Sequence, residues 1–220
     1  MQVALLGGTG DIGEGLALRL ARDTDHEVVV GSRKAEKADG AATEYEGTLA
    51  DHGVDVTVGA AENPEAAAGA DVVVLSVPAY HLADTVESVA DDLSGVLVSP
   101  AVGLQRDEAG LHYNPPGVGS VTALAAQAAP DGIPVVGAYH NLAAGRLADL
   151  DAELDWDVPI VADDADAKAT VVDLTDELDG LRALDAGPLA NATEVESLTP
   201  LLINLAANNE GMHDLGTKFW

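Results

Sequence analysis

Three glycines near the start of the chain, Gly8, Gly10 and Gly13, have the spacing of a turn that binds the phosphates of a dinucleotide. They follow the short apolar segment 2–6, and the apolar residues of segment 14–21 recur at helical spacing. In such a strand, turn and helix, one glycine permits the tight turn, another lets the backbone approach a pyrophosphate, and the third allows close packing. The amides at the helix start then face the anion. A glycine-rich turn that binds nothing has the same pattern and remains an alternative.

A group of cations follows the second predicted strand, residues 27–30. An NAD-binding chain is expected to carry an acidic residue here for the ribose hydroxyl, whereas this chain continues Gly31-Ser32-Arg33-Lys34. Ser32, Arg33 and Lys37, one helical turn further on, have the hydroxyl, the planar fork and the point charge that suit a 2′-phosphate. The sequence therefore favours NADP(H) over NAD(H). The alternative is a basic first turn on an exposed helix, although cations there oppose the helix dipole.

The rest of the chain is strongly acidic: 10 basic residues face 38 acidic ones, and the formal charge is −28. Such a surface repels nucleic acid and anionic lipid, so neither is predicted as a partner. No cysteine is present, which excludes disulfides and thiolate metal ligands, and no metal site is predicted. We find no signal-like segment and no apolar run of bilayer length, which predicts a soluble, cytoplasmic protein. The scattered acids are typical of adaptation to a salt-rich cytoplasm.

Alternating apolar strands and helices predict the α/β class, with a doubly wound parallel sheet of the Rossmann type over residues 1–139 and a second, smaller α/β domain over residues 140–220. In the first part, strands are predicted at 54–58, 70–77, 96–99 and 133–138, helices at 34–50, 82–93 and 118–129, and an ordered loop at 104–117. In the second part, strands are predicted at 156–161 and 181–186, and helices at 163–178 and 191–208. No internal repeat is visible.

The ends of the predicted strands indicate further site residues. Pro78 stops an apolar strand, which places Ser76 and Val77 at the ligand crevice of an open α/β sheet. His81 begins the next helix and is either a ligand contact or a surface histidine. Segment 139–146 lies where the sheet meets the second domain, and there a second substrate would meet a nicotinamide. In helix 191–208 one face is apolar, which predicts core or a subunit interface and hence a homo-oligomer, dimer or tetramer; its residues are Leu198, Leu201, Leu202 and Leu205.

Together with the glycine turn and the Gly31-Ser32-Arg33-Lys34 segment, three later segments, 155–159, 195–200 and 211–220, give the chain a resemblance to a known family. It resembles the NADPH-dependent reductases of coenzyme F420, archaeal enzymes that exchange a hydride between NADP and an 8-hydroxy-5-deazaflavin. The likeness covers nearly the whole chain. It implies a nicotinamide at the carboxyl edge of the sheet, with the deazaflavin stacked on it beneath the smaller domain.

The resemblance also implies contacts, residue by residue. The pyrophosphate would lie against Thr9, Gly10, Asp11 and Ile12, and the 2′-phosphate against Ser32, Arg33 and Lys37. The nicotinamide and its ribose would lie near Val77, His81, Val102 and Ala144, and the deazaflavin near His140, Ser197 and Thr199. Thr193 stands where members of the family carry a basic residue, which puts in doubt the contact to the acidic tail of the deazaflavin.

Direct hydride transfer between two planar rings asks little of the protein beyond holding them together and excluding water. His140 is the predicted catalytic residue, a donor that stabilises negative charge on the reduced ring; alternatively it is a histidine satisfied by backbone. The alternative for Ser197 and Thr199 is that they cap the start of a helix. Two rival functions stay open. One is an NADPH-dependent reductase of a small imine or carbonyl, with Tyr139, His140 or Tyr80 as proton donor. The other is a non-enzymatic NADP(H)-sensing module.

Overall fold

The computed structural model describes all of residues 1–220. The strands are β1 Gln2–Leu6, β2 Glu27–Ser32, β3 Gly59–Glu62, β4 Val72–Leu75, β5 Val96–Ser99, β6 Leu104–Asp107, β7 Gly110–Tyr113, β8 Val135–Gly137, β9 Trp156–Ala162 and β10 Leu181–Asp185. The α-helices are α1 Asp11–Asp23, α2 Ala35–Asp51, α3 Asn63–Ala67, α4 Leu82–Ser88, α5 Val121–Ala128, α6 Ala144–Ala148, α7 Ala165–Asp176, α8 Ala192–Glu196 and α9 Leu198–Asn208. None of these helices has the length and apolar content that a membrane span requires.

Eight strands form one sheet in the order β10-β9-β8-β5-β4-β1-β2-β3. The six strands from β8 to β3 in this order run parallel, and β1 lies between β2 and β4, where the winding of the chain changes direction. The predicted doubly wound parallel sheet is therefore confirmed. β9 runs antiparallel to β8 and β10 parallel to β9, so the second part of the chain extends the same sheet. A domain division at residue 140 remains a prediction.

The central strand β1 shows why the parallel strands have continuous apolar sequences. Val3 and Leu5 belong to one core cluster, which includes residues of α1, α2 and α7, and Ala4 and Leu6 belong to a second cluster on the opposite face. All four side chains are fully buried. Because successive residues of a strand point to opposite faces, a sheet covered by helices on both sides buries every position of such a strand.

Three sequence predictions of secondary structure were wrong. Residues 54–58 are not a strand: Val54 and Val56 are not buried, and the strand that pairs with β2 begins at Gly59. Residues 104–117 were predicted as an ordered loop, but β6 and β7 form an antiparallel hairpin over residues 104–113. Helix 191–208 is divided at Ser197 into α8 and α9. The alternation of residue types predicted a strand at residues 54–58, but pairing with the buried strand β2 determines that the strand forms at Gly59–Glu62.

The hairpin contacts the last helix through a pair of hydrogen bonds. Asn204 in α9 accepts a hydrogen bond from the Leu111 amide at 3.1 Å and donates one to the Leu111 carbonyl at 2.6 Å. The apolar face predicted for this helix is only partly covered, since Leu201 is 53% exposed and Leu205 is 42% exposed. An exposed face of this kind on a helix without charged residues is typical of an interaction surface.

Candidate active site

The turn after β1 needs glycine at its first two positions. Gly7 has a φ of +75°, in the left-handed region, and a Cβ there would lie 2.5 Å from Cγ1 of Val77 and 2.8 Å from the carbonyl oxygen of Ser76. A Cβ on Gly8 would lie 2.7 Å from the carbonyl oxygen of Leu5. The turn thus packs closely against the end of β4. Position 7, which precedes the three glycines identified from the sequence, has the strictest requirement for glycine.

Gly13 and Gly10 have the two other roles predicted from the sequence, which are close packing of the helix and an open approach to the backbone. A Cβ on Gly13 would lie 2.5 Å from the Cα of Gly8, so α1 packs directly on the turn. A Cβ on Gly10 would meet no atom closer than 3.6 Å, which leaves the backbone open on this side. The first hydrogen bond of α1 runs from the Glu14 amide to the Gly10 carbonyl at 2.8 Å. Amides 11–13 precede it and lack carbonyl partners within the helix, which is the usual arrangement of an anion site.

Tyr45 in α2 supports the turn from the side. Its hydroxyl donates to the carbonyl of Gly8 at 2.8 Å, and its side chain is buried. Burial, together with the nearby carboxylates of Glu14 and Glu44, raises the pKa of Tyr45, so the hydroxyl keeps the proton that it donates. Nothing in the sequence indicates this contact, because Tyr45 lies 37 positions after Gly8.

A cavity of about 640 Å³ opens beside the turn, and we call it the glycine-turn cavity. The structure brings eight of the predicted cofactor residues to its walls: Thr9, Gly10, Ser32, Arg33, Lys37, Ser76, Val77 and His81. Five further residues complete the lining and were not predicted: Gly7, Lys34, Asn63, Pro78 and Thr85. All of them lie at the carboxyl ends of β1, β2, β3 and β4 or in the segments that follow, which is where ligands bind in open α/β sheets.

The cations of this cavity have no carboxylate partner. Arg33, Lys34 and Lys37 are exposed and form no ion pair, although the chain has 38 acidic residues. Elsewhere the lysines pair with carboxylates, as Lys168 does with Asp185 at 2.7 Å. Three unpaired positive charges at one wall of a cavity in so anionic a protein favour an anionic ligand there.

Two buried oxygens of the same lining also lack partners. The Oδ1 of Asn63 and the Oγ of Ser76 are buried and make no hydrogen bond within the protein, and both residues line the glycine-turn cavity. A buried polar atom without a partner costs about 1–3 kcal/mol, and such atoms are rare in native structures. The residues present therefore fit a polar ligand with donors and acceptors of its own, as a dinucleotide has.

Eight predicted cofactor residues do not line this cavity, and five of them belong to the turn, to the start of α1 or to the segment after β5. Gly8 and Gly13 shape the turn, Ile12 packs against the larger core, and Asp11 is exposed at the start of α1. Val102 follows β5, and β5 lies between β4 and β8 in the sheet. Val102 lines neither the glycine-turn cavity nor the second cavity, which is described below. The side chains of these residues therefore do not line the glycine-turn cavity. A ligand in this cavity could still contact the backbone amides of residues 11–13.

The second part of the site begins at the end of β8 with a strained residue. Tyr139 has a φ of +68°, an uncommon conformation for a residue other than glycine, asparagine or aspartate. Its ring is buried, and its hydroxyl lies 3.0 Å from the Thr175 hydroxyl; burial raises the pKa of Tyr139 to about 12. The core thus fixes Tyr139 while the chain turns sharply into His140.

His140 is almost completely buried, with 3% of its surface exposed. Its Nε2 lies 3.2 Å from the Thr122 hydroxyl, and its Nδ1 is buried without a partner. Burial lowers the pKa of His140 to about 3, so the ring is neutral near pH 7. The backbone carbonyl of His140 accepts a hydrogen bond from the Thr199 hydroxyl at 2.6 Å. The side chain of His140 is therefore held by the Thr122 hydroxyl. The alternative interpretation, a histidine whose side chain is satisfied by backbone groups, is wrong.

His140 belongs to a second cavity of about 360 Å³, which we call the His140 cavity. Its lining is mostly apolar and consists of residues 140–145, Thr199, Leu202, Ile203, Ala206, Asp214 and Leu215. Three predicted residues line it: His140, Ala144 and Thr199. Ser197 does not, and its hydroxyl donates to the Glu194 carbonyl at 2.7 Å. Neither Ser197 nor Thr199 caps α9 with its side chain, so the capping interpretation is wrong.

The two cavities share no lining residue, but α1 connects the elements that form them. Arg19 is buried and donates to four backbone carbonyl oxygens in α6 and in the residues that follow it. Its Nε donates to Leu147 at 2.9 Å, and one terminal nitrogen donates to Arg146, Asp149 and Ala152. A Cβ on Gly15 would lie 2.5 Å from the Cβ of Leu147, so α1 and α6 are in close contact. The helix that starts at the glycine turn therefore fixes the segment that lines the His140 cavity.

No group of three or more histidine, aspartate or glutamate side chains is arranged to hold a metal ion. The site consists of two cavities along one edge of the sheet. One is polar and positively charged, and the other is apolar with a neutral histidine.

Comparison with known proteins identifies the family. Residues 2–103 match the family model described as NADP oxidoreductase, coenzyme F420-dependent. A protein of Methanocaldococcus jannaschii named F420-dependent NADP reductase is 38% identical over 209 residues, 93% of this chain and 92% of that protein. One of the same name from Methanothermobacter marburgensis is 40% identical over 213 residues, 95% and 94% of the two chains. A crystal structure from Arthrobacter sp. FB24 superposes with a TM-score of 0.81 at 27% identity and covers 100% of this chain and 99% of its own. The chain belongs to the family of F420-dependent NADP reductases.

Proposed function

We propose that the protein catalyses hydride transfer between NADP(H) and the deazaflavin coenzyme F420. The observation that carries this function is the pair of unlike cavities along one sheet edge: a cationic one with orphaned polar atoms, and an apolar one that contains a neutral histidine. The names of the two archaeal relatives, which align with more than nine-tenths of the chain, support the same pair of substrates.

NADP(H) would occupy the glycine-turn cavity. Its pyrophosphate would bind Thr9, Gly10 and the amides of Asp11 and Ile12, and its 2′-phosphate would bind Ser32, Arg33 and Lys37. The nicotinamide would extend past Val77 and His81 toward Val102 and Ala144. β2 and β8 lie four strand spacings apart in the sheet, roughly 19 Å at the usual spacing between strands. The edge is therefore long enough for an extended dinucleotide to lead from the cations to His140.

The deazaflavin would bind in the His140 cavity, near Thr199 and near Ser197, which separates α8 from α9. A mostly apolar lining with a few polar groups suits a planar ring that must be oriented against another ring. The two substrates supply the hydride chemistry themselves, and the protein holds the donor and acceptor carbons together and excludes water. The balancing proton at a ring nitrogen can come from solvent.

The imine or carbonyl reductase is less well supported, because that reaction needs a proton donor beside the nicotinamide. The hydroxyl of Tyr139 is buried against Thr175, His140 is neutral with a pKa of about 3, and Tyr80 is 79% exposed. None of the three is both placed at a cavity and able to release a proton near pH 7.

The experiment that tests the function mixes the protein with NADPH and oxidised coenzyme F420 in molar KCl and follows the visible absorbance band of the deazaflavin. Loss of the band with NADPH, and much slower loss with NADH, would support the proposal. Tight NADPH binding without turnover would favour the sensing module. Reduction of imines or ketones, with no effect on the deazaflavin, would favour the other rival.

We further propose that the protein is a cytoplasmic homo-oligomer that associates through α9. This helix has no charged residue and exposes Leu201 and Leu205, so two copies of an otherwise anionic protein can meet there with little repulsion. Light scattering of the wild type and of the Leu201→Glu variant in molar KCl tests this. A monomeric wild type would exclude it.

A further inference from the structure

Glu196, the last residue of α8, is a fully buried carboxylate with four hydrogen-bond donors around it. Oε1 lies 2.9 Å from both the amide and the hydroxyl of Thr122, and Oε2 lies 3.0 Å from the Val121 amide and 2.8 Å from the Tyr113 hydroxyl. Each oxygen thus faces a backbone N–H, which can only donate. Both oxygens therefore accept, and the hydroxyls of Tyr113 and Thr122 donate to them.

This arrangement determines what the Thr122 hydroxyl can do. Its single proton is donated to Oε1 of Glu196, so toward His140 the same oxygen can only accept. The Nε2 of His140, 3.2 Å away, must then carry a hydrogen. A neutral imidazole has one N–H, and the ring is neutral because burial lowers the pKa of His140 to about 3. Nδ1 is left as a bare acceptor, and it has no partner in the protein.

We propose that Glu196 and Thr122 are positioning residues that hold His140 with its hydrogen on Nε2, so that Nδ1 accepts a hydrogen bond from an N–H or O–H group of the deazaflavin. This inference rests on the proposed function for the identity of the second substrate. It changes the role of His140 from the donor expected from the sequence to an acceptor, because the one ring hydrogen is already engaged by Thr122. The imide N–H of a deazaflavin ring is a donor of the required kind.

Capping of α5 explains only part of this network. Glu196 accepts from the amides of Val121 and Thr122, the first two residues of α5, and so satisfies two donors at the helix start. Ser120 caps the same helix through the Ala123 amide at 2.9 Å. Helix capping does not require the hydroxyl of Thr122, and the hydroxyl is the only group that connects Glu196 to His140.

The test therefore removes the hydroxyl and leaves the amides. Thr122→Val is nearly isosteric and retains both backbone bonds to Glu196, Thr122→Ser restores the hydroxyl, and Thr24→Val removes a hydroxyl with two hydrogen bonds at the far end of α1 as a control. The first readout is the ¹⁵N NMR spectrum of the ligand-free protein, in which His140 is assigned among six histidines by its loss in His140→Gln. It needs no substrate and does not depend on the proposed function.

We expect wild type, Thr122→Ser and Thr24→Val to show an N–H type nitrogen at Nε2 and a bare nitrogen at Nδ1. Thr122→Val should show a mixture of tautomers. Oxidised coenzyme F420 should shift the Nδ1 signal of the wild type in the direction of an accepted hydrogen bond. A wild-type ring with its hydrogen on Nδ1, or a Thr122→Val ring with an unchanged tautomer, would overturn the proposal.

The second readout is kinetic. For Thr122→Val we expect kcat/KM for coenzyme F420 to fall about tenfold, the usual effect of one lost hydrogen bond, while KM for NADPH stays unchanged. Thr122→Ser should recover most of the activity. Equal losses for both substrates would mean that Thr122 is merely structural and would also overturn the proposal. A wild type with the expected tautomer but without deazaflavin turnover would instead count against the proposed function, and the identity of the donor would fall with it.

Discussion

The carboxylate of Asp157 accepts two hydrogen bonds from the guanidinium of Arg182, at 2.8 Å from Nε and 2.7 Å from a terminal nitrogen. Asp157 is fully buried in β9 and also receives the Phe219 amide at 2.6 Å, so the pair joins β9, β10 and the carboxyl-terminal segment. Asn141, which lines the His140 cavity, donates to the carbonyl of Asp157 at 2.7 Å. One wall of this cavity therefore depends on a pair of residues outside it.

The Asp157–Arg182 pair predicts a specific loss of stability in acid. The hydrogen bonds from Arg182 are the main cause that lowers the pKa of Asp157 to about 2. Because the folded pKa lies below the ordinary value near 4, the contribution of the pair is complete above about pH 4 and is lost as pH falls toward 2. At pH 7, Asp157→Asn should lower Tm by roughly 5 °C. The difference from wild type should shrink below pH 4, as measured by thermal melts in constant KCl.

Asp55→Asn is the matched control for this prediction, because Asp55 is exposed and makes no side-chain hydrogen bond or ion pair. Its Tm should follow that of the wild type at every pH. A difference between wild type and Asp157→Asn that stays constant from pH 6 to 2 would contradict the role assigned to the pair.

Arg33→Ala should weaken binding of NADPH far more than binding of NADH. A charge-assisted contact to the 2′-phosphate is worth about 1.5–3 kcal/mol, so Kd for NADPH should rise roughly 10- to 100-fold. Kd for NADH, which lacks this phosphate, should change little. Fluorescence titration of both nucleotides at one KCl concentration measures the two constants.

Arg106→Ala is the control for the loss of a positive charge. Arg106 is exposed in β6, has no ion-pair partner, and does not line the glycine-turn cavity. It should leave both nucleotide constants unchanged. Equal losses of NADPH and NADH affinity in Arg33→Ala would show that the cation does not contact the 2′-phosphate.

The sequence predicted those parts of the molecule whose causes are local. The strand, glycine turn and helix at residues 2–23 follow from apolar periodicity and from glycines required at close contacts, and the apolar strand at 96–99 is bounded as predicted. β3 was misplaced because the segment Gly-Ala-Ala-Glu has little strand propensity and forms only by pairing with β2. Asn63 and the contact of Glu196 with Thr122, 74 positions apart, could not be predicted, because only the tertiary fold brings them to the site.

The acidic surface predicts that stability depends on salt. With a formal charge of −28 on 220 residues, self-repulsion favours the unfolded chain unless counter-ions screen it. Melts in dilute buffer and in molar KCl should differ by many degrees, with the higher Tm in KCl. Melts in KCl and in the same concentration of a neutral osmolyte separate screening from general solute effects. Equal Tm values in dilute buffer and molar KCl would exclude salt adaptation.

Gly10→Ala should separate cofactor binding from folding. Gly10 has extended backbone angles, and an added Cβ would meet no atom closer than 3.6 Å, so the variant should fold and melt like the wild type. The methyl group would occupy the side on which the backbone is open to a pyrophosphate, and NADPH and NADH should both bind at least tenfold more weakly.

Gly13→Ala would place a Cβ 2.5 Å from the Cα of Gly8 and should lower Tm as well. Gly47→Ala, with no atom within 4 Å of the new Cβ, is the control and should stabilise α2 slightly without affecting either nucleotide. Normal nucleotide binding by Gly10→Ala would mean that the phosphates do not approach the turn on this side.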